Sequence, residues 1–238
     1  MKCVVCEGKY DRIFLQEYIR KYSNVQGYPV KNNMNDFFDI FRSKYHPFHG
    51  ECGCVIYGEG GKRKLFERVV IPCVQEVLGK DEFVHHFVVV ADADGADPGY
   101  LCSTYCEAIE RNIRSRNITR YSCRCRDNDS CFIFFSPQDE RYRCVVKATH
   151  LPTSLERELV REGLERFRSK IPEGVRRNIL DMPVHGALRF LSDRVELSVE
   201  ELIRLSVNEG WFMDEPWFTD IGRGFHSVLG IELQVEWY

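Results

Sequence analysis

The sequence predicts an α/β protein in which a mostly parallel sheet is flanked by helices and followed by a helical C-terminal extension. Three observations carry this reading. Through residue 150, short β-branched runs alternate with segments of helical period, the pattern of right-handed βαβ units. Residues 86–91, His-Phe-Val-Val-Val-Ala, form an uninterrupted run of the kind seen in strands buried on both faces. Beyond residue 150 the strand signals stop, and Leu155, Leu159, Val160, Leu164 and Phe167 mark one helical stripe. The division is therefore a sheet domain over residues 1–150 and a helical extension over residues 151–238.

Taken in order, residues 3–6 read as a short buried strand, and residues 10–22 place Ile13, Phe14, Tyr18 and Ile19 at helical spacing. Residues 23–50 are polar, with Gly, Pro, Asn and His, and read as an insertion carrying one short helix near residues 36–41. Residues 52–57 read as a strand ending in Gly58-Glu59-Gly60-Gly61. Residues 62–78 have helical period through Leu65, Val69, Ile71 and Val74, with Pro72 a potential kink. After the strand at 86–91, Asp97 is a good N-cap with Pro98 at the first helical position, opening a helix to about Arg116. Residues 131–135 and 143–147 read as further strands. In the extension, Ser198-Val199-Glu200-Glu201 is a capping box. The helical extension packs on the sheet or forms a small lobe beside it.

Hydrophobic residues make up 44% of the 238, which excludes a disordered chain. No apolar run approaches the eighteen or so residues needed to span a bilayer, and the start lacks the apolar core of a signal peptide. A soluble, cytoplasmic protein without membrane contact is expected. The eleven cysteines are then expected to be reduced, mostly as small buried residues.

The net charge of −3 conceals an asymmetry: residues 193–238 carry −7 and the remainder +4. Arg111, Arg114, Arg116, Arg120, Arg124 and Arg126 fall within sixteen residues that contain no acid. Such a run is either a solvated face or a phosphate-contacting one, because Arg pairs bidentately with phosphate oxygens. Lys62, Arg63 and Lys64, behind the glycine-rich turn, offer a second basic element toward a nucleic-acid backbone, or simply a solvated helix start. That turn also suits phosphate cradling by backbone amides, although it lacks the Walker spacing.

The chemistry is expected in carboxylates. In an open parallel sheet, ligands bind beyond the carboxyl ends of the strands, and two strands here end in acids. The first gives Glu7-Gly8-Lys9-Tyr10-Asp11, with Asp11 one helical turn beyond Glu7. The later one gives Asp92-Ala93-Asp94, whose acids project in one direction if the backbone stays extended. Acids converging there repel one another unless a cation is present, and all-oxygen ligation favours Mg²⁺ or Mn²⁺. Capping of the next helix by Asp92 and Asp94, with Glu7 an exposed turn residue, is the plainer alternative.

Val4-Val5-Cys6-Glu7-Gly8-Lys9-Tyr10-Asp11, followed by Val88-Val89-Val90-Ala91-Asp92-Ala93-Asp94-Gly95, resembles the Toprim domain of topoisomerases, bacterial-type primases, recombination-repair proteins and OLD-type nucleases. The resemblance covers about residues 1–150 and implies a Rossmann-like sheet. It implies that Glu7 handles a proton and that Asp92 and Asp94 bind Mg²⁺, with Asp11 beside them. Leu155-Glu156 resembles the segment that follows the sheet in OLD-type nucleases, making Glu156 a candidate for a second metal or an ordinary helix-start residue. The chain is too short for a topoisomerase and has no Walker motif. A small Toprim-type nuclease acting on DNA or RNA is the expectation, as a monomer or homodimer. A non-catalytic nucleic-acid-binding protein and a primase-like nucleotidyltransferase are the alternatives. Lys147, read at a strand end, is a candidate for neutralising charge on the phosphate, or else a surface lysine. Separately, His46, His49, Cys52 and Cys54 form an N/S set of Zn²⁺ type, with spacings tight for tetrahedral ligation. Trp211, Phe212, Trp217 and Phe218 are candidates for stacking on bases, though a hydrophobic contact suits an acidic segment better.

Overall fold

A computed structural model describes residues 2–30, 34–42, 53–73, 85–115, 122–126, 130–134 and 143–234. Seven strands form one sheet in the order β2-β3-β1-β4-β7-β6-β5. These are β1 (Lys2–Cys6), β2 (Gln26–Val30), β3 (Gly53–Gly58), β4 (His85–Asp92), β5 (Ser122–Arg126), β6 (Ser130–Phe134) and β7 (Arg143–Leu151). The first five in spatial order are parallel, while β6 and β5 run antiparallel as a hairpin beyond β7.

Side chains of β1 alternate between two cores. Val4 and Cys6 enter one, with Phe14, Leu15 and Tyr18 of α1 (Lys9–Tyr22). Cys3 and Val5 enter the other, with Phe37 of α2 (Met34–Arg42), Leu65 of α3 (Lys62–Leu65) and Tyr105 of α4 (Pro98–Ser115). A strand with helices on both faces must be apolar at every position, which is why no alternation shows in its sequence. The crossover moving toward the β2 edge lies on the first face and those moving toward β7 lie on the second, as a single hand of crossover requires.

The C-terminal helices are α5 (Leu155–Arg166), α6 (Glu173–Leu180), α7 (Val184–Val195), α8 (Val199–Asn208) and α9 (Pro216–Leu229). They form no separate lobe; α9 packs on β7 and β4, and α8 packs on α1. Phe212, Trp217 and Phe218 are buried against Phe14, with the Tyr18 and Phe218 rings 4.8 Å apart, and Trp211 is buried against Phe167. Base stacking is thereby closed to Trp211, Phe212 and Phe218 in this arrangement, while Trp217 also borders a cavity. Polar ties reinforce the seam: Lys21 donates to the carbonyls of Val207 and Asn208 at 2.7 and 2.9 Å, neutralising the negative end of α8. The capping box is present, Ser198 N–H donating to Glu201 Oε2 at 2.7 Å.

Several sequence expectations change. Residues 23–50 are not a pure insertion, because residues 26–30 supply β2, which pairs with β3. Pro29 is tolerated there because β2 is the outermost strand of the sheet. Residues 122–126, Ser-Cys-Arg-Cys-Arg, form a strand that the arginine run concealed. The chain passes from α3 through a π turn at Phe66–Val70 and is helical through Pro72 to residue 73. Cys3, Cys6, Cys54 and Cys73 are free thiols, in line with reduced core packing, while Cys106 on α4 is disulfide-bonded. Among the described residues no helix is long and apolar enough to cross a membrane.

If the C-terminal helices and the sheet share one core, Phe218→Ala should lower the stability of the whole chain. A loss of about 3–5 kcal/mol is expected in urea unfolding, with far- and near-ultraviolet circular dichroism moving together. Separate transitions would contradict a shared core.

Candidate functional site

The sheet reverses direction between β1 and β4. The chain leaves β1 toward β2 and leaves β4 toward the opposite edge, on opposite faces. No connecting helix covers the gap between two such strands at their carboxyl ends, which is where open α/β sheets bind ligands. Register brings the acids there: Cys6 pairs with Val90, which sets Glu7 level with Ala91 and one residue short of Asp92 on the neighbouring strand.

A hydrogen bond fixes this meeting. The backbone N–H of Asp92 donates to Glu7 Oε1 at 2.8 Å. Glu7 is also held through its backbone, whose carbonyl accepts from Gly61 N–H at 2.9 Å. Glu59 N–H likewise donates to the Cys6 carbonyl, at 3.0 Å. Two amides of the glycine-rich turn are thus spent on the end of β1, which corrects its reading as an open phosphate cradle. The two turns also touch closely, since a Cβ on Gly58 would lie 2.4 Å from the Gly8 carbonyl oxygen.

Asp11 sits in the first turn of α1, where the helix dipole favours an anion, and its carboxyl accepts from the Gly8 backbone. Burial, then the charges of Glu156 and Glu7, push it up to about 7. Asp92 is pushed up to about 8, first by burial and then by Asp11, Glu7, Glu156 and Asp94. Five carboxylates, just after β1, on α1, at the end of β4, in the turn after β4, and on α5, therefore act on one another, and after burial the influences on Asp92 are all acidic. Asp94 does not follow an extended backbone as expected: β4 ends at Asp92, and Asp94 and Gly95 have φ of 51° and 79°. Asp is among the few side chains that tolerate this region.

The other candidates are dispersed. Lys147 is not at a strand end, because β7 continues to Leu151; it pairs with Val88 in mid-sheet, about 13 Å along the strand from the acids. Its stem lies along α9, with Cε 3.6 Å from where a Cβ on Gly224 would stand. Lys62, Arg63 and Lys64 open α3 at the carboxyl edge, one strand from Glu7; Arg63 pairs with Glu67 at 2.9 Å, and Lys64 is exposed. Arg111 and Arg114 lie in the last turns of α4, which puts Arg114 about 24 Å from that helix's start by the site. Arg114 pairs with Glu110 at 3.2 Å, and Arg116 lies outside the described residues. Of the zinc candidates, His46, His49 and Cys52 also lie outside them, while Cys54 is wholly buried in the first core, its thiol pushed up to about 12. Cys6, beside Glu7, is likewise pushed up by burial and then by Asp11, so it is a neutral core thiol.

Among the described residues, no three His, Cys, Asp or Glu side chains form a ready-made metal site. The donor chemistry of the acid cluster nonetheless fits a hard cation, being oxygen-only and strongly anionic.

Fold and site together define an α/β protein with an acidic centre at its topological switch point. A crystal structure of a hypothetical protein from Pyrococcus horikoshii OT3 resembles it with a TM-score of 0.53 and 15% identity, over 94% of this chain and 98% of that one. That likeness concerns the fold. No family model and no curated protein matches the chain.

Because the folded pKa values of Asp92 and Asp11 are raised, the stability these groups contribute is complete below about pH 4 and is lost as pH rises through 7 and 8. In EDTA, Asp92→Asn should therefore melt above the wild type at pH 9, and the gap should vanish near pH 4. A gap independent of pH would contradict the repulsion. Gly58→Ala should cost about 1–3 kcal/mol in denaturant unfolding, since Gly8 backbone blocks the new methyl.

Proposed function

We propose that this chain is a Toprim-type, Mg²⁺-dependent nuclease acting on a phosphodiester of DNA or RNA. The observation that supports it best is the meeting of Glu7 and Asp92 at the switch point, joined by the Asp92 N–H hydrogen bond and surrounded by Asp11, Asp94 and Glu156. The two stretches that resemble the Toprim domain are the two that meet there. Asp92, Asp94 and Asp11 would hold a Mg²⁺ or Mn²⁺ ion, with Glu156 available to a second. Bound there, the ion would supply charge stabilisation to the attacking and leaving oxygens.

Glu7, oriented by the Asp92 amide, takes the proton from the attacking water. The new P–O bond forms as the bond to the leaving oxygen breaks, and the leaving oxygen recovers a proton from solvent. Lys62, Arg63 and Lys64 flank the mouth and would meet the phosphate backbone on the β3 side. Lys147, lying mid-sheet, has no part in this scheme.

Labelled single- and double-stranded DNA and RNA, incubated with the purified chain in Mg²⁺, Mn²⁺ or EDTA, test the reading. Cleavage should need the metal and fall at least about 100-fold in Glu7→Gln and Asp92→Asn. Cleavage that persists in EDTA or in either variant overturns the assignment. Metal-independent retention without cleavage would favour a binding protein, and extension with nucleotides a nucleotidyltransferase.

A further inference from the structure

We propose that the cavity between the Asp94–Gly95 turn and the first turn of α9 binds a nucleobase, guanine in preference to the others, belonging to the strand held at the carboxylates. This deepens the phosphodiester reading and rests on it for the identity of the strand. The cavity measures about 390 Å³, within the range of about 300–1,000 Å³ typical of small-molecule sites. One wall is Ala93, Gly95 and Ala96, the segment that directly follows Asp92, so its occupant would sit beside the reacting phosphate. Pro152, Pro216 and Trp217 supply the apolar part of the lining, and His150, whose ring stacks on Tyr105 at 6.2 Å, borders it from β7.

The polar groups select among ligands. Glu215 and Asp220 complete the lining and present acceptors only. Glu215 Oε1 receives Arg161 at 2.5 Å and Asp220 Oδ1 receives Arg223 at 3.2 Å, and neither arginine lines the cavity. Their other oxygens, Oε2 and Oδ2, take no hydrogen bond from the described residues. Two carboxylates next to an acidic centre disfavour a second phosphate and favour a neutral ligand rich in N–H donors. Guanine meets this with its N1–H and N2 amino group side by side, whereas uracil and thymine bring one donor and two carbonyls. Trp217 adds the complementary demand: its indole N–H is buried without an acceptor among the described residues, and the side chain is 4% exposed. Guanine also carries the acceptors O6 and N7, so an acceptor that reaches this N–H gains a bond that the described residues do not offer.

The test uses the uncharged nucleosides guanosine, adenosine, cytidine and uridine, titrated into the full chain in EDTA and followed by amide chemical shifts. Guanosine should bind about tenfold more tightly than uridine, and Asp220→Asn should remove about that factor for guanosine alone. Asp220 is exposed and its pair with Arg223 is local, so this variant should fold normally. Absence of guanosine binding, or equal affinity for all four nucleosides unchanged by Asp220→Asn, overturns the proposal. Binding without cleavage would leave the pocket standing and remove the nuclease reading; cleavage without guanosine binding would do the reverse.

Discussion

The parallel pairing of β1 with β4 is the constraint on which the rest depends. These strands lie at the centre of the sheet, and their alternating side chains feed both cores, so their register is fixed from two sides. A slip of one residue would exchange the inward sets of both faces. The same register delivers Glu7 and Asp92 to adjacent strand ends, where the Asp92 amide holds the Glu7 carboxylate. Packing thus does the positioning, and the acids are carried into place by residues that have no chemistry of their own.

That placement has an electrostatic cost concentrated in Asp92 and Asp11. Both are partly buried, and the charges acting on them most strongly are other carboxylates. Among the described residues Asp92 and Asp11 have no ion pair, whereas Glu17 is answered by Arg20 and Arg204 at 2.6 and 3.5 Å. The contrast within one molecule separates acids that hold the fold together from acids that strain it. Strained, mutually repelling acids in a cleft mark functional positions more often than structural ones.

Much of this was legible in the sequence, for identifiable reasons. Doubly buried strands announce themselves as apolar runs, so β1 and β4 and the acids after them could be found. Helix starts with local caps, Asp97 and Ser198, could be found because the capping bond spans only a few residues. What failed depended on partners distant in sequence. β2 contains Gly27 and Pro29 and has strand character only because β3 lies alongside. β5 is polar because it lies at the far edge of the sheet. The true end of β7 was hidden by Ala148-Thr149-His150, which carry no strand signature yet pair with Val89, Val90 and Ala91, and Lys147 was misplaced with it. The cavity lining from α9 was invisible too, since Trp217 and Asp220 lie more than a hundred residues from the turn they face.

Pro29 has a consequence beyond its own pairing. An outermost strand presents a row of donors and acceptors on which a second chain can add, the usual route to edge-to-edge aggregation. A proline has no N–H to offer, and its pairing with Ile56 leaves the gap in the ladder on the outward side. At that boundary the sheet is terminated chemically as well as topologically, so growth by strand addition is interrupted where the fold would otherwise invite it.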